Sequence, residues 1–203
     1  MIPSRALRRR LVVATLNVAK GREIASGLRG LPFEVILLAD LPGASLPPEG
    51  ITSYAENALA KARAAARFAD ALALADDSGL EVDALGGAPG VLSSRFGGVP
   101  LSDAERCARV LERLRDVPPE PRTARFRCVI ALADGQGREA TVEGTVEGRI
   151  AEAACGAGGF GYDPIFFYPP LERTFGELTP EVKGRVSHRA IALRKAAEVL
   201  TRW

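Results

Sequence analysis

Short, wholly apolar segments that alternate with helical segments constrain the fold of this chain more than any other feature. Residues 11–14 and 71–75 are such segments, residues 33–38 are apolar apart from Glu34, and helical spacing follows the first segment at residues 22–28. An apolar run without polar alternation is typical of a strand that is covered on both faces. The order strand, polar loop, helix, strand predicts an α/β fold.

Two further helices are predicted from their first residues. Ser53 with Glu56, and Ser102 with Glu105, have the capping-box pattern, in which the serine and the glutamate satisfy free backbone N–H groups of the first turn. We expect the first of these helices to extend to about Phe68.

The second half of the chain predicts a β-hairpin and a terminal helix. Residues 126–133 and 139–146 are strand segments joined by a glycine-containing turn, and a last helix covers about residues 188–200. No internal repeat is present, and 203 residues can bury one good core. We therefore expect one α/β domain over residues 11–203, after a flexible basic lead at residues 1–10.

Composition narrows the class of protein. The formal net charge of +2 is too small to argue for a nucleic-acid or membrane partner. Three scattered cysteines form neither a disulfide framework nor a metal motif. The apolar run after residue 10 is too short for a signal peptide, and no stretch approaches the ~20 apolar residues of a membrane span. We expect a cytoplasmic protein without membrane or nucleic-acid partners.

The first candidate site is the polar loop at residues 15–20, between a strand and a helix. Backbone N–H groups and the helix dipole favour an anion at such a position, and Lys20 adds a charge suited to phosphate. The run matches neither of the glycine-rich phosphate-binding motifs. An equally good interpretation is an ordinary turn capped by Asn17, with Lys20 in solvent.

The second candidate site is the pair Asp76 and Asp77, followed by Ser78 and Gly79. We expect this run at the carboxyl end of the strand 71–75, where open α/β sheets bind their ligands. Because successive strand side chains point to opposite faces, only one of the two carboxylates should enter a site. The alternative is an Asx-type turn, which the same residue types favour.

The third candidate site combines the glycine-rich run 158–163 with Lys183 and Ser187-His188-Arg189. Glycines let the backbone approach a ligand closely, and Phe160 and Tyr162 could stack on a base. His188 is the only histidine in the chain, and a lone histidine is more often structural than a ligand. The residues alone leave this candidate undecided.

Taken together, these segments resemble the inosine triphosphate pyrophosphatase family of house-cleaning nucleotide hydrolases. Six blocks match in the family order, which is far more specific than one short motif. The blocks are Ala14-Thr15-x-Asn17-x-x-Lys20, Glu56-Asn57-Ala58 with Lys61-Ala62, residues 75–80 through 86–90, Ser94-Arg95, residues 158–164 with Glu177-Leu178, and Lys183 with Ser187-His188-Arg189.

The resemblance implies an elongated α/β fold with a mixed central sheet flanked by helices, two lobes around a substrate cleft, and a homodimer. It also implies hydrolysis of the non-standard purine triphosphates ITP, dITP and XTP to the monophosphate and pyrophosphate, with Mg²⁺ as cofactor. Asp77 is the implied catalytic and metal-binding carboxylate. The implied substrate-binding residues are Thr15, Leu16, Asn17, Val18, Ala19, Lys20 and Lys183 for the triphosphate, Ser78, and Phe160, Gly161, Tyr162, Asp163, His188 and Arg189 for the purine.

Two departures from the family pattern affect the expected site. Many members carry two consecutive acidic residues before the glycine that precedes the second helix, whereas this chain has Pro47-Pro48-Glu49-Gly50. Glu49 is the best candidate for the second metal ligand. The arginine often found ahead of the glycine-rich run is absent from residues 154–156, so we expect no arginine clamp from that loop.

These residues suggest a mechanism and a basis for selectivity. Mg²⁺ held by Asp77, with Glu49, would bridge the phosphates, and Asp77 would orient or deprotonate the attacking water. Lys20 and Lys183 would offset the charge of the leaving pyrophosphate. Arg189 could bind O6 and N7 of a 6-keto purine, whereas the amino group of adenine would face its donors.

Two other classes of protein remain open. A Maf-type nucleotide pyrophosphatase shares the broad architecture and the bond cleaved but prefers other bases, and the blocks at residues 160–163 and 187–189 argue against it. A non-enzymatic nucleic-acid-binding protein would account for the many arginines. The nearly balanced charge and the lack of a basic stripe argue against that class.

Overall fold

The apolar segments of the sequence form the centre of a seven-stranded sheet. The computed structural model describes residues 9–98 and 101–203. The strands are β1 (Arg9–Val13), β2 (Phe33–Leu37), β3 (Leu72–Val82), β4 (Thr123–Ala133), β5 (Glu139–Ile150), β6 (Phe166–Tyr168) and β7 (Arg173–Thr174). The helices are α1 (Val18–Gly27), α2 (Tyr54–Ala69), α3 (Asp103–Arg113), α4 (Pro180–Val186) and α5 (His188–Leu200), and short 3-10 turns join several of these elements.

The sheet is mixed, with the strand order β2-β1-β3-β4-β5-β6-β7. β1 pairs in parallel with β2 and β3, because helices carry the chain back between these strands. The remaining neighbours are antiparallel, and β4 and β5 form the predicted hairpin. The predicted α/β fold, one domain with a mixed sheet flanked by helices, is confirmed.

The strand β3 is longer than its sequence suggests. It continues from Leu72 through the polar run 76–79 to Val82, and residues 73–82 pair with β4 along their whole length. We predicted that the strand would end before Asp76, and this prediction was wrong. The ladder of hydrogen bonds to β4 keeps the polar run extended, which local polarity cannot reveal.

The pairing of β1 with β3 ends much earlier than the pairing of β3 with β4. The last paired residues are Val13 and Leu74, and Ala14 N donates to Leu74 O at 2.7 Å. The edge of β3 that carries residues 76–80 therefore extends beyond the carboxyl ends of β1 and β2. In open α/β sheets this is the place where ligands bind.

Helices cover both faces of the central strands. On one face, Leu193 and Ala196 of α5 share a buried cluster with Leu74 and Ile130. On the other face, α2 presents alanines, which are small enough to let the helix approach β1, β3 and β4 closely. The buried alanines of α2 are Ala58, Ala62, Ala65 and Ala66.

The predicted serine caps form at both helices, α2 and α3, but the full capping box forms only at α3. Ser53 caps α2 by accepting a hydrogen bond from Glu56 N at 3.2 Å. At α3 both halves of the capping box form between Ser102 and Glu105. The terminal helix has the predicted bounds, His188–Leu200.

The amino-terminal boundary differs from the prediction. Residues 1–8 of the predicted flexible lead lie outside the described residues. Arg9 and Arg10, which we assigned to that lead, instead form the start of β1 and pair with Phe33 and Glu34 of β2. Within residues 9–98 and 101–203, no helix is both long and apolar enough to cross a membrane.

Candidate active site

A cleft of about 390 Å³ opens beside the edge of β3 that extends past β1. The loop after β1, the segment before α2, the glycine-rich run and the start of α5 all contribute to its walls. The predicted site residues that line it are Thr15, Leu16, Asn17, Ala19, Lys20, Glu49, Asp77, Ser78, Phe160, Gly161, Tyr162, Asp163, Lys183, His188 and Arg189.

The loop after β1 is shorter than predicted, because α1 begins at Val18 rather than near Arg22. Asn17 caps the helix as predicted, since its side chain accepts a hydrogen bond from Lys20 N at 3.0 Å. Asn17 N in turn donates to Thr15 Oγ1 at 3.1 Å. Val18 is 55% exposed and does not line the cleft. The first turn of α1 thus borders the cleft, where its free N–H groups favour an anion.

Asp76 is a buried anion that holds two cations of the cleft. Its Oδ2 accepts hydrogen bonds from Ser78 Oγ and Arg189 Nη2, both at 3.1 Å, and lies 3.2 Å from Lys20 Nζ. Lys20 is therefore paired and not directed into solvent. Burial acts to raise the pKa of Asp76, but attraction to Lys20 and then Arg189 outweighs it and holds the pKa far below its usual range.

Asp77 faces the other side of β3 and is the one of the two carboxylates that lines the cleft, as strand alternation predicts. Asn57 Nδ2 donates to its Oδ2 at 3.0 Å, and Lys61 Nζ donates to its Oδ1 at 3.1 Å. Burial raises the pKa of Asp77, against the attraction of Lys61 and the hydrogen bond from Asn57. A raised pKa makes the carboxylate a better proton acceptor than an ordinary aspartate.

Glu49 shares a cation with Asp77. Lys61 Nζ donates to Glu49 Oε1 at 2.7 Å, so that one ammonium group bridges both carboxylates. The backbone of this segment is fixed by Arg95 Nη1, which donates to Glu49 O at 3.1 Å. Burial acts to raise the pKa of Glu49, but Lys61 and further cations outweigh it and lower the pKa.

The carboxylate pair fits a divalent cation. Among the residues that the structure describes, no three histidine, cysteine, aspartate or glutamate side chains cluster in a way that could hold a metal ion. Asp77 and Glu49 nevertheless direct oxygens to one common point, the position of Lys61 Nζ. Mg²⁺ typically uses only one or two protein carboxylates when water and phosphate oxygens complete its shell. Asp77 and Glu49 are the residues that would hold it.

The glycine-rich run forms a loop whose conformation depends on two carboxylates. Asp163 Oδ2 accepts a hydrogen bond from Phe160 N at 2.8 Å, and Asp103 Oδ2 accepts one from Gly161 N at 2.7 Å. Gly159 has a φ of 72°, and a Cβ atom at this residue would lie 2.0 Å from Asp163 Oδ2. Only glycine can therefore occupy this position.

The two aromatic residues of this loop differ in exposure. Tyr162 is 4% exposed, packs in the core and donates from its hydroxyl to Ser93 O at 2.8 Å. Its ring face is not available to a base, contrary to our expectation. Phe160 is half-buried, with Lys183 Nζ 4.6 Å and the Arg189 guanidinium carbon 5.6 Å from its ring centroid. Phe160 is thus the aromatic surface that the loop offers to a ligand.

The two cations beside Phe160 are both paired with Glu23 of α1. Glu23 Oε1 lies 2.7 Å from Lys183 Nζ, and Glu23 Oε2 lies 2.6 Å from Arg189 Nη1. Lys183 also binds Asp163. Lys183, which we expected to hold the triphosphate, therefore lies at the aromatic end of the cleft.

His188 combines a packing role with a position in the cleft wall. Its ring stacks on Phe126, with centroids 4.6 Å apart and an interplanar angle of 14°. Burial lowers the pKa of His188 well below its usual value, and the neighbouring charges of Arg189 and Lys183 act in the same direction. The ring is therefore neutral near pH 7. Its buried Nδ1 has no hydrogen-bond partner among the described residues.

Several residues that line the cleft or bind its lining residues had no role predicted from the sequence. Lys61 had a usable signal, because a lysine on the buried alanine face of α2 requires a charged partner. Asp103 is separated from Gly161 by 58 residues, and no local pattern connects them. The other residues without an assigned role are Glu23, Asn57 and Arg106.

A ligand cleft beyond parallel strands, with a helix N-terminus at one side and an aromatic ring beside two cations at another, is an arrangement that nucleotide-binding α/β proteins use. The chain belongs to the Ham1 family, whose model matches residues 11–199. The resemblance inferred from the sequence is thereby confirmed.

Relatives and solved structures agree with this assignment. The chain is 50% identical over 193 residues to a dITP/XTP pyrophosphatase of Desulforamulus reducens, covering 95% of this chain and 96% of the relative. It is also 50% identical over 184 residues to a dITP/XTP pyrophosphatase of Geobacter sulfurreducens, covering 91% and 92%. The HAM1 protein of Coxiella burnetii has a similar structure, with a TM-score of 0.83, 42% identity, and coverage of 96% of this chain and 100% of that one.

Proposed function

We propose that this chain hydrolyses the non-standard purine nucleoside triphosphates ITP, dITP and XTP to the monophosphate and pyrophosphate. The observation that carries the proposal is that one cleft contains two carboxylates around one positive charge and an aromatic ring beside two cations. The relatives named dITP/XTP pyrophosphatase support the same substrates. The domain responsible is the single unit that begins with β1 at Arg9 and ends at residue 203.

The triphosphate binds at the loop after β1. Asn17 caps the N–H group of Lys20, the remaining N–H groups at the start of α1 can bind phosphate oxygens, and the helix dipole favours their charge. Lys20 stands beside this loop and supplies positive charge to the leaving pyrophosphate. Ser78, on the cleft edge of β3, stands beside this loop, and its hydroxyl links Asp76 to Arg189. The residues concerned are Thr15, Leu16 and Asn17 of the loop and Ala19 and Lys20 of the first turn of α1, whereas Val18 does not line the cleft.

Asp77 is the catalytic carboxylate. It orients the attacking water toward the α-phosphorus and accepts its proton. Mg²⁺, held by Asp77 and Glu49 when bound, supplies charge neutralisation and lowers the pKa of water. Asn57 and Lys61 hold the Asp77 side chain in one orientation.

The purine binds against Phe160, near Lys183, His188 and Arg189. Arg189 uses Nε and Nη2 on Asp76 and one Nη1 hydrogen on Glu23. A further Nη1 hydrogen remains for an acceptor such as the 6-keto oxygen of hypoxanthine. Adenine places an amino donor there, and buried donors left without an acceptor disfavour it strongly. Gly161, Tyr162 and Asp163 shape this end of the cleft.

A substrate panel tests the proposal. We expect kcat/KM for ITP and XTP to exceed that for ATP and the pyrimidine triphosphates by at least about 100-fold. In Arg189→Ala the ITP-to-ATP ratio should fall, whereas in Arg194→Ala, an exposed arginine of α5, it should not change. A preference for pyrimidines would favour the Maf-type alternative, and an unchanged ratio in Arg189→Ala would remove Arg189 from base recognition.

We also propose a cytoplasmic homodimer, with two lobes around the cleft and without nucleic-acid or membrane partners. The dimer follows from the family resemblance, and the small net charge of +2 supports the absence of a nucleic-acid partner. Light scattering of the purified protein should give about twice the chain mass of 21.5 kDa. A mass equal to that of one chain would contradict the dimer.

A further inference from the structure

Glu23 lies behind the cleft, and the proposed function gives it no role. It belongs to α1, three residues after Lys20, and it does not line the cleft. Its two carboxylate oxygens bind two different cations, Lys183 at 2.7 Å and Arg189 at 2.6 Å. These cations come from different helices, α4 and α5, and both stand over the ring of Phe160.

These contacts make Glu23 the central link in a chain of alternating charges. The chain starts beside the phosphate loop and ends at the carboxylate that fixes the loop of Phe160. Each neighbouring pair lies within ion-pair distance. In order, its members are Lys20, Asp76, Arg189, Glu23, Lys183 and Asp163.

Removing the charge of Glu23 would leave both cations paired. Arg189 keeps Asp76, and Lys183 keeps Asp163. What is lost is the connection between the two cations. Lysine and arginine side chains have large rotamer freedom, so each cation held by a single carboxylate samples more positions. The fold is retained, while the geometry beside Phe160 becomes less defined.

We propose that Glu23 is a positioning residue that fixes Lys183 and Arg189 for recognition of the purine. The inference rests on the proposed function, because it takes the purine to lie against Phe160. It goes beyond that function because it assigns Glu23 to recognition of the purine and not to binding of the phosphates. Loss of Glu23 weakens binding of the purine. It does not weaken binding of the phosphates, because the cluster gains a net positive charge when the carboxylate is neutralised.

The test compares the two products as inhibitors of ITP hydrolysis. Glu23→Gln keeps the size of the side chain and removes its charge, and Glu34→Gln, an exposed carboxylate of β2, is the matched control. In Glu23→Gln we expect KM for ITP and Ki for IMP to rise about tenfold, as for loss of one charge-assisted contact. We expect kcat within about twofold of wild type, and Ki for pyrophosphate unchanged or lower. Glu34→Gln should match wild type in every constant.

Two outcomes overturn the inference. A Ki for IMP that stays at the wild-type value shows that Glu23 does not position the cations. A parallel rise of both Ki values shows a general structural role. If Glu23→Gln does not fold, Glu23→Asp keeps the charge but is too short to reach both cations, and the same rise in Ki for IMP is expected. A wild-type protein that does not hydrolyse ITP refutes the proposed function instead, so the two failures are distinguishable.

Discussion

Asp76 and Asp77 are adjacent in the sequence, yet their carboxylates are held by different cations on opposite faces of β3. Asp76 binds Lys20 and Arg189, whereas Asp77 binds Lys61. The pKa of Asp76 is lowered because these cations outweigh its burial, whereas burial raises the pKa of Asp77. The first carboxylate is therefore a permanent structural charge, and the second is suited to proton transfer in the cleft.

Replacing Asp77 should abolish catalysis with little effect on binding. In Asp77→Asn we expect kcat to fall by about 10²–10⁴-fold, as for loss of a general base, with KM for ITP nearly unchanged. Steady-state kinetics on ITP measure both constants. Asp83→Asn, an exposed carboxylate that follows β3, is the control and should keep full activity. Near-normal turnover in Asp77→Asn would show that another group activates the water.

Replacing Asp76 should instead destabilise the fold. In Asp76→Asn, the buried cation Arg189 loses a partner, and Lys20 loses the carboxylate at 3.2 Å. Breaking a buried ion pair by removing one member costs about 3 kcal/mol or more. Urea denaturation of Asp76→Asn should therefore show a clearly lower midpoint than wild type. A midpoint equal to that of wild type would mean that Asp76 is not needed to compensate the cations.

Removing Lys61 should strengthen metal binding in the absence of nucleotide. Its ammonium group lies between Glu49 and Asp77, at the point that a divalent cation would occupy. Loss of this charge removes its repulsion of a divalent cation, which is about 8 kcal/mol for a separation of about 4 Å at an effective dielectric constant near 20. Calorimetry with Mg²⁺ or Mn²⁺ should give a Kd at least about tenfold lower for Lys61→Met than for wild type. Lys195→Met, which changes an exposed lysine of α5, is the control. Equal metal affinity in Lys61→Met and wild type would show that the ammonium group of Lys61 and the metal ion do not compete for one position.

His188 should make the stability of the fold sensitive to acid. Its pKa is lowered in the folded protein by burial, with Arg189 and Lys183 acting in the same direction. In the unfolded chain it takes up a proton near pH ~6.5, so that below this pH the unfolded state binds more protons. The contribution of His188 to stability is therefore complete above pH ~6.5 and is lost below it, by at most about 1.4 kcal/mol per pH unit.

The comparison of wild type with His188→Phe isolates this effect, because the chain has a single histidine and phenylalanine can still stack on Phe126. Denaturant unfolding between pH 5 and 8 gives the free energy of unfolding of both proteins. Their difference should change in favour of the variant as the pH falls through this range. A difference that does not depend on pH would show that His188 titrates normally in the folded protein.

Elements with strong local signals were predictable from the sequence. The β4–β5 hairpin was predicted from its glycine-containing turn, and α2 and α3 from their serine caps, all of which act within a few residues. The length of β3 was not predictable in this way. Asp76 and Asp77 resemble a loop locally, and their extended conformation comes from pairing with β4, which lies about 50 residues further along the chain.

The candidate site likewise combines motifs that the sequence reveals with long-range contacts that it does not reveal. Its motifs could be recognised one by one, and the cleft brings nearly all of them together. Their electrostatic partners could not be derived, because the contacts of Glu23 with Lys183 and Arg189 span 160 and 166 residues. Sequence reasoning therefore identified Lys183 and Arg189 as positive charges, but not that a carboxylate of α1 already binds both of them.

The identity of the products tests the central proposal most directly. ITP incubated with the wild-type protein and Mg²⁺ can be followed by anion-exchange chromatography. Attack at the α-phosphorus, directed by Asp77, predicts IMP and pyrophosphate in equal amounts. Formation of IDP and inorganic phosphate would place the broken bond between the β- and γ-phosphates and contradict the proposed reaction.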